Sequence, residues 1–230
     1  MFSIVWDAPA HGGTTFSYGG CRMPKTERHG RRHTRQIGRK AAENICHAFD
    51  YAKHIARPLN TYVVINLTAL PDGACTTQAF CDVRHKFRDW LNRKHMTADG
   101  TTEPPRFVYS MEAPNGDDHA NWVVHVPERF LDEFKRKLPK WVARVVGESR
   151  PFDICVKPVT PDGDKGLAKY VIKGTDPAYI GYLHLTSVAA PQGCIWGRRC
   201  GASPAIGRTA RRAAGFVPRR DRNKWRKRAA

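Results

Sequence analysis

The stretch Asp118-His119-Ala120-Asn121-Trp122-Val123-Val124-His125-Val126-Pro127 decides how this chain is read. Side chains alternate along a strand, so His119, Asn121, Val123 and His125 share one face while Trp122 and Val124 point to the other. Just upstream, Arg106-Phe107-Val108-Tyr109-Ser110-Met111-Glu112 has the aromatic and β-branched content of a second strand, and Asn115-Gly116-Asp117 lies between the two. A short link through Asn-Gly predicts an antiparallel hairpin over Arg106–Glu112 and Ala120–Val126. Glu112 is the only acid on its strand, and the paired register carries it toward His119 and Asn121.

Outward from the hairpin the pattern is regular. Residues 35–56 predict a helix, with Ile37, Ala41, Ile45, Ala48 and Phe49 at helical spacing. Tyr62-Val63-Val64-Ile65-Asn66-Leu67-Thr68 predicts a buried strand, and a helix follows from Thr76 or Thr77 to about Met96. Glu128 to Val146 has an amphipathic stripe that Pro139 should kink or break. A fourth strand covers Phe152–Val159, and Lys165 to Gly174 forms a short helix ended by that glycine. Two strand-helix-strand crossovers around a central hairpin give an α+β domain, a central antiparallel-dominated sheet with flanking helices. The expected organisation is a basic N-terminal region with a helix (1–59), this domain (60–185), and a basic, flexible C-terminal extension (186–230).

The net charge of +18 is concentrated. From Arg22 to Lys40 eight Lys or Arg stand against Glu27, and from Arg198 to Ala230 twelve stand against Asp221, so the rest of the chain nets zero. A neutral body with two basic segments is built to hold a polyanion, because every phosphate neutralised releases counterions. Arg31, Arg32, Arg198, Arg199, Arg208, Arg211, Arg212 and Lys169 are the candidate phosphate contacts. Basic ends that only solubilise, or that touch lipid or RNA without specificity, remain the bland alternative. There is no apolar run long enough to span a membrane and no secretory signal, and seven scattered cysteines without a Cys-x-x-Cys pair point to reduced thiols in a cytoplasm.

Histidine and amide at i and i+2 on a strand stand about 7 Å apart on one surface and can converge on one ion. His125 lies about 13 Å from Asn121 along the strand, too far for the same ion. Glu112, His119 and Asn121 offer carboxylate, imidazole and amide oxygen, a set suited to Mg²⁺ or Mn²⁺ rather than Zn²⁺. Tyr170 and Lys173, three apart on the expected helix, face the same way. A tyrosine can attack phosphorus, and a lysine one turn away can stabilise the developing charge.

Together these elements resemble the HUH endonuclease superfamily, the rolling-circle replication initiators of plasmids and phages with their relaxase and transposase relatives. The resemblance covers roughly residues 60–177. Val64-Ile65-Asn66-Leu67-Thr68 looks like the first initiator motif, His119-Ala120-Asn121 stands at the place of the His-hydrophobic-His metal motif, and Tyr170-Val171-Ile172-Lys173 looks like the third motif. The resemblance implies an RRM-related fold in which the metal strand faces the tyrosine helix. It also implies that Tyr170 attacks the scissile phosphate to leave a 5′-phosphotyrosyl link and a free 3′-hydroxyl, with Lys173 assisting. The expected partner is single-stranded or hairpin origin DNA in a bacterial cytoplasm, nucleoid-associated, together with a host helicase and with neither a membrane nor a small-molecule substrate. The departure is Asn121, where the family keeps a second histidine. A catalytically silent relative that only binds DNA is the alternative, and an RNA-associated basic protein with coincidental motifs is a third.

Overall fold

In the computed structural model the described residues are 33–70, 74–94, 102–147, 150, 152–160 and 163–218. Five strands form the main sheet: β2 (Thr61–Asn66), β3 (Phe107–Glu112), β4 (His119–Val124), β5 (Ile154–Pro158) and β7 (Cys200–Ala202). Their order is β5-β2-β4-β3-β7, and every neighbouring pair is antiparallel. Both β2 and β3 border β4 in antiparallel fashion, so they run parallel to each other and α2 (Thr76–Lys94) must cross over between them. By the same logic α3 (Leu131–Val146) joins β4 to β5 across β2. Two interleaved split βαβ units around a hairpin result, the α+β arrangement expected from the order of elements.

The hairpin turns where Asn-Gly predicts it. Asn115 and Gly116 take positive φ of 57° and 89°, the pair of left-handed conformations that asparagine and glycine tolerate best.

Helices cover both faces of the sheet. Val63, Ile65, Tyr109, Met111, Ala120, Trp122 and Val124 point to α2 and α3, where Phe80, Phe87, Trp90, Phe134 and Trp141 make an aromatic core. Phe87 packs edge-on against both Trp122 and Phe134, with ring centroids 5.1 and 5.6 Å apart. Tyr62, Val108 and Val123 point the other way, to α1 (Arg39–His54) and α4 (Asp164–Val171). With both faces buried, all six residues of β3 are inaccessible, and any polar side chain there needs an internal partner.

Three expectations are corrected. Pro139 lies inside α3 without breaking it: the proline is on the exposed side, where water can satisfy the carbonyl one turn back. α1 packs into the core of the sheet's second face rather than standing in a separate N-terminal region. Much of the expected C-terminal extension also belongs to the fold. Ile195–Trp196 (β6) pairs with His33–Thr34 (β1), β7 covers the β3 edge, and Ile206 is fully buried beside α6 (Arg208–Ala213). Arg199 is the anchor, 3% exposed, with its guanidinium donating to the carbonyls of Thr34, Met111, Gln192 and Gly193. No described helix is long and apolar enough to cross a membrane.

The aromatic core should dominate stability. Phe87→Ala is expected to cost about 3–5 kcal/mol. Phe152→Ala, at a side chain 95% exposed, should stay within about 0.5 kcal/mol in the same urea titration.

Candidate functional site

β3 and β4 pair so that Glu112 lies directly opposite His119 and Ser110 opposite Asn121. On the other side of β4, Asn121 faces Val64 and Val123 faces Tyr62. Partners across an antiparallel pair share a face. Glu112, His119, Ser110, Asn121 and Tyr62 therefore converge on the surface covered by α1 and α4. Glu112 and Asn121 are each only 1% exposed, while His119 keeps partial access to solvent.

Tyr170 reaches this surface from α4, which buries Leu167, Ala168 and Val171 and leaves the tyrosine half-covered. Lys173 lies just past the helix end rather than on it, in a turn where its N–H donates to the Tyr170 carbonyl at 3.1 Å. That turn is tied down from two directions. The Ile37 N–H donates to the Gly174 carbonyl at 2.8 Å, and the Thr175 hydroxyl donates to the Ile172 carbonyl at 2.6 Å.

The side chains form one connected set. The Lys173 ammonium is 3.0 Å from Glu112 Oε2 and 3.8 Å from the centre of the Tyr170 ring. His119 Nε2 is 3.0 Å from the same Glu112 oxygen, and its Nδ1 is 3.2 Å from the Asp117 carbonyl. The Tyr62 hydroxyl donates to Asn121 Oδ1, and the rings of Tyr62 and Tyr170 meet nearly edge-on at 6.2 Å. Tyr62 and Ser110 belong to this surface and were absent from the sequence-based set. Strand parity alone pointed to Ser110, two positions from Glu112, whereas Tyr62 needed the pairing of β2 with β4, which sets it opposite Val123.

Electrostatics follow from burial. Desolvation pushes the Glu112 carboxyl up, but the hydrogen bond from His119 and the charge of Lys173, with further help from both groups, hold it below the usual carboxylate range. Burial raises the Tyr62 phenol far above its ordinary value, and the neighbouring Tyr170 and Glu112 add to the effect, so Tyr62 stays neutral. Burial holds the His125 imidazole low, with its Nδ1 2.7 Å from the Pro58 carbonyl, and this ring takes no part in the set.

The residues can be tested against a divalent ion. Two ligands in neighbouring positions of an octahedral ion, each about 2.1 Å from it, lie about 3 Å apart. Glu112 Oε2 and His119 Nε2 have that separation. Asn121 supplies an oxygen from the same face, and its Nδ2 is buried without a hydrogen-bond partner, an amide whose surroundings are incomplete. Among the described residues no group of three or more His, Cys, Asp or Glu side chains is arranged for a metal, so a candidate ion site depends on the Asn121 amide. Lys173 already neutralises the one carboxylate. Glu112, His119 and the Asn121 amide are the side chains that would hold a divalent ion here, with Lys173 sharing Glu112.

The basic residues divide. Arg198, Arg208 and Arg212 are exposed and Lys169 is half-buried. Arg199 and Arg211 are spent inside the fold: Arg211 is 6% exposed and donates to the Ile206 carbonyl and to Asn44, both at 2.6 Å. Neither is available to a phosphate. Arg31 and Arg32 lie outside the described residues. No protein-family model and no curated protein matches the chain.

Glu112 has a folded-state pKa below its unfolded value, so its contribution to stability is complete above the ordinary carboxylate range and is lost as pH falls through the depressed value. Urea unfolding followed from about pH 6 down to about pH 3 should show an acid loss of stability whose slope is shallower in Glu112→Gln. Identical slopes in the two proteins would mean that Glu112 is not held ionised by its partners.

Proposed function

We propose that this protein binds DNA and nicks a single strand by attack of Tyr170 on a backbone phosphate, as a member of the HUH endonuclease superfamily acting in replication initiation or DNA mobilisation. One observation carries the reading. Tyr170 and Lys173 come from the end of α4, Glu112 and His119 from the β3–β4 hairpin, and the four join in an unbroken line of contacts. Coincidental motifs would have no reason to meet on one face of a sheet.

The chemistry assigned to each residue is simple. The Tyr170 oxygen bonds to phosphorus while the bond from phosphorus to the 3′-oxygen breaks; the phenol proton is lost, and the departing oxygen ends as a 3′-hydroxyl. Lys173 brings a positive charge next to the nucleophile, aimed at the non-bridging phosphate oxygens. Glu112, with both His119 and Lys173 on one oxygen, sets the positions of those two side chains. Mg²⁺ or Mn²⁺ held by Glu112, His119 and the Asn121 amide would neutralise phosphate charge. Exposed Arg198, Arg208 and Arg212, with Lys169, supply phosphate contacts that position the strand without reading its sequence. The expected setting is a bacterial cytoplasm, where a host helicase unwinds the duplex ahead of the nicked strand.

A second reading has its own support. Lys173 occupies the Glu112 oxygen that an ion would use, and Tyr62 occupies the Asn121 oxygen, as expected of a relative that keeps the fold to bind DNA without cutting it.

Incubation with single-stranded origin-derived oligonucleotides and Mn²⁺, followed by denaturing electrophoresis, separates the two. A covalent protein–DNA adduct should form, disappear altogether in Tyr170→Phe, and form about 10²-fold more slowly in Lys173→Met. Tight binding with no adduct on any cognate strand would establish the silent binder. An adduct that survives Tyr170→Phe would remove Tyr170 from the chemistry.

A further inference from the structure

On the opposite face of the sheet from Tyr170, a cleft of about 440 Å³ opens between α2, β3, β7 and the turn at Gly197–Arg198. Its floor is aromatic. The Arg84 guanidinium lies 4.6 Å from the ring centre of Tyr109, 5.1 Å from Phe80 and 5.4 Å from Phe107. Arginine held against aromatic rings is preorganised, because cation–π contact fixes the fork that would otherwise lose rotamer freedom on binding. Yet Arg84 Nε is buried without a hydrogen-bond partner, and among the described residues no acidic side chain lines the cleft. An enclosed guanidinium donor with nothing to donate to points to an anion that completes it.

Two further features shape the site. Exposed Arg198 stands at the rim, close enough that it and Arg84 both favour the ionised form of Tyr109, which burial otherwise disfavours. At Gly201 a side chain would approach the Tyr109 ring to 3.0 Å, so glycine on β7 leaves room for that ring to lie across the strand. The volume is in the range of small-ligand sites and matches one nucleotide. Two arginines provide for a phosphate, while the partly exposed Arg84 guanidinium, backed by the buried Tyr109, Phe80 and Phe107 rings, is the surface on which a base can stack.

We infer that this cleft binds the 5′-phosphate and base of a single nucleotide, either as one unit of a nucleic-acid strand or as a free mononucleotide. The site stands apart from Tyr170 and its chemistry. A strand engaged at both places would pass over the β3–β7 edge, whose continuation carries exposed Arg208 and Arg212.

Isothermal titration calorimetry of the full chain tests this with deoxyadenosine 5′-monophosphate, deoxyadenosine, inorganic phosphate and an oligothymidylate of about ten nucleotides. The monophosphate should bind, and deoxyadenosine and inorganic phosphate should each bind at least about tenfold more weakly. Arg84→Gln should weaken the monophosphate by about tenfold or more, and Arg198→Ala by severalfold. Because Arg198 is exposed, its variant reads the site even if Arg84→Gln fails to fold. Displacement of the monophosphate by oligothymidylate identifies a strand as the source, and simultaneous binding of both identifies a free nucleotide. Tyr170→Phe should leave the monophosphate affinity unchanged, so this result is independent of adduct formation. No monophosphate binding, or equal affinity in the parent chain and both arginine variants, overturns the assignment.

Discussion

A carboxylate at the end of a fully buried strand cannot remain ionised unless hydrogen-bond donors or a cation reach it, and Glu112 imposes that condition on everything around it. His119 meets it from the opposite position on β4, and Lys173 meets it from beyond α4. The second link has the larger structural consequence, because it joins the hairpin to a turn more than fifty residues away and stops α4 where Tyr170 overhangs the sheet. Such a network adds little net stability over a well-packed apolar one, since the desolvation of each charge opposes the attraction between them. What it adds is position. Sliding α4 along the sheet would leave a buried charge unpaired, so the Tyr170 ring has one place to be.

Burial on both faces explains why the polar residues of the sheet are few and why they cluster. β3 and β4 are covered by α2 and α3 on one side and by α1 and α4 on the other, so Ser110, Glu112 and Asn121 can be tolerated only where they serve one another or a neighbour such as Tyr62. The outer strand β7 adds a second constraint. It pairs with β3 and closes that edge against unwanted strand addition, and Arg199 secures it by donating to four carbonyls.

Local rules made the hairpin and its register legible before any coordinates. Alternation assigned His119 and Asn121 to one face, Asn-Gly supplied the turn, and the paired register carried Glu112 toward both; the structure sets it opposite His119. The meeting of Lys173 with Glu112 was not legible in that way, because no local pattern encodes a contact between a helix end and a strand so far away. Arginine was misread for a related reason. Arg198, Arg199, Arg211 and Arg212 look alike in sequence, yet Arg199 and Arg211 serve as internal hydrogen-bond donors and their neighbours face water. Propensity also undervalued the Gly- and Ala-rich stretch after residue 186, whose contribution to the sheet is three residues long, paired to β3 through its backbone and anchored by the Arg199 side chain. Pro139 shows the converse error, where a strong local rule gives way because the affected carbonyl faces solvent.

Asn121 is best understood from its neighbours. Its carbonyl takes the Tyr62 proton, and Tyr62 is held neutral by burial next to Tyr170 and Glu112, so that hydroxyl keeps its proton to donate. An imidazole at this place would have to accept from Tyr62 through one ring nitrogen and present the other toward the sheet surface, in a space that admits almost no solvent. The amide performs the accepting role with a shorter side chain. Its cost is the Nδ2 group left without a partner, and that cost is the clearest local sign that the surface formed by Tyr62, Asn121, Glu112 and His119 is shaped for something besides packing.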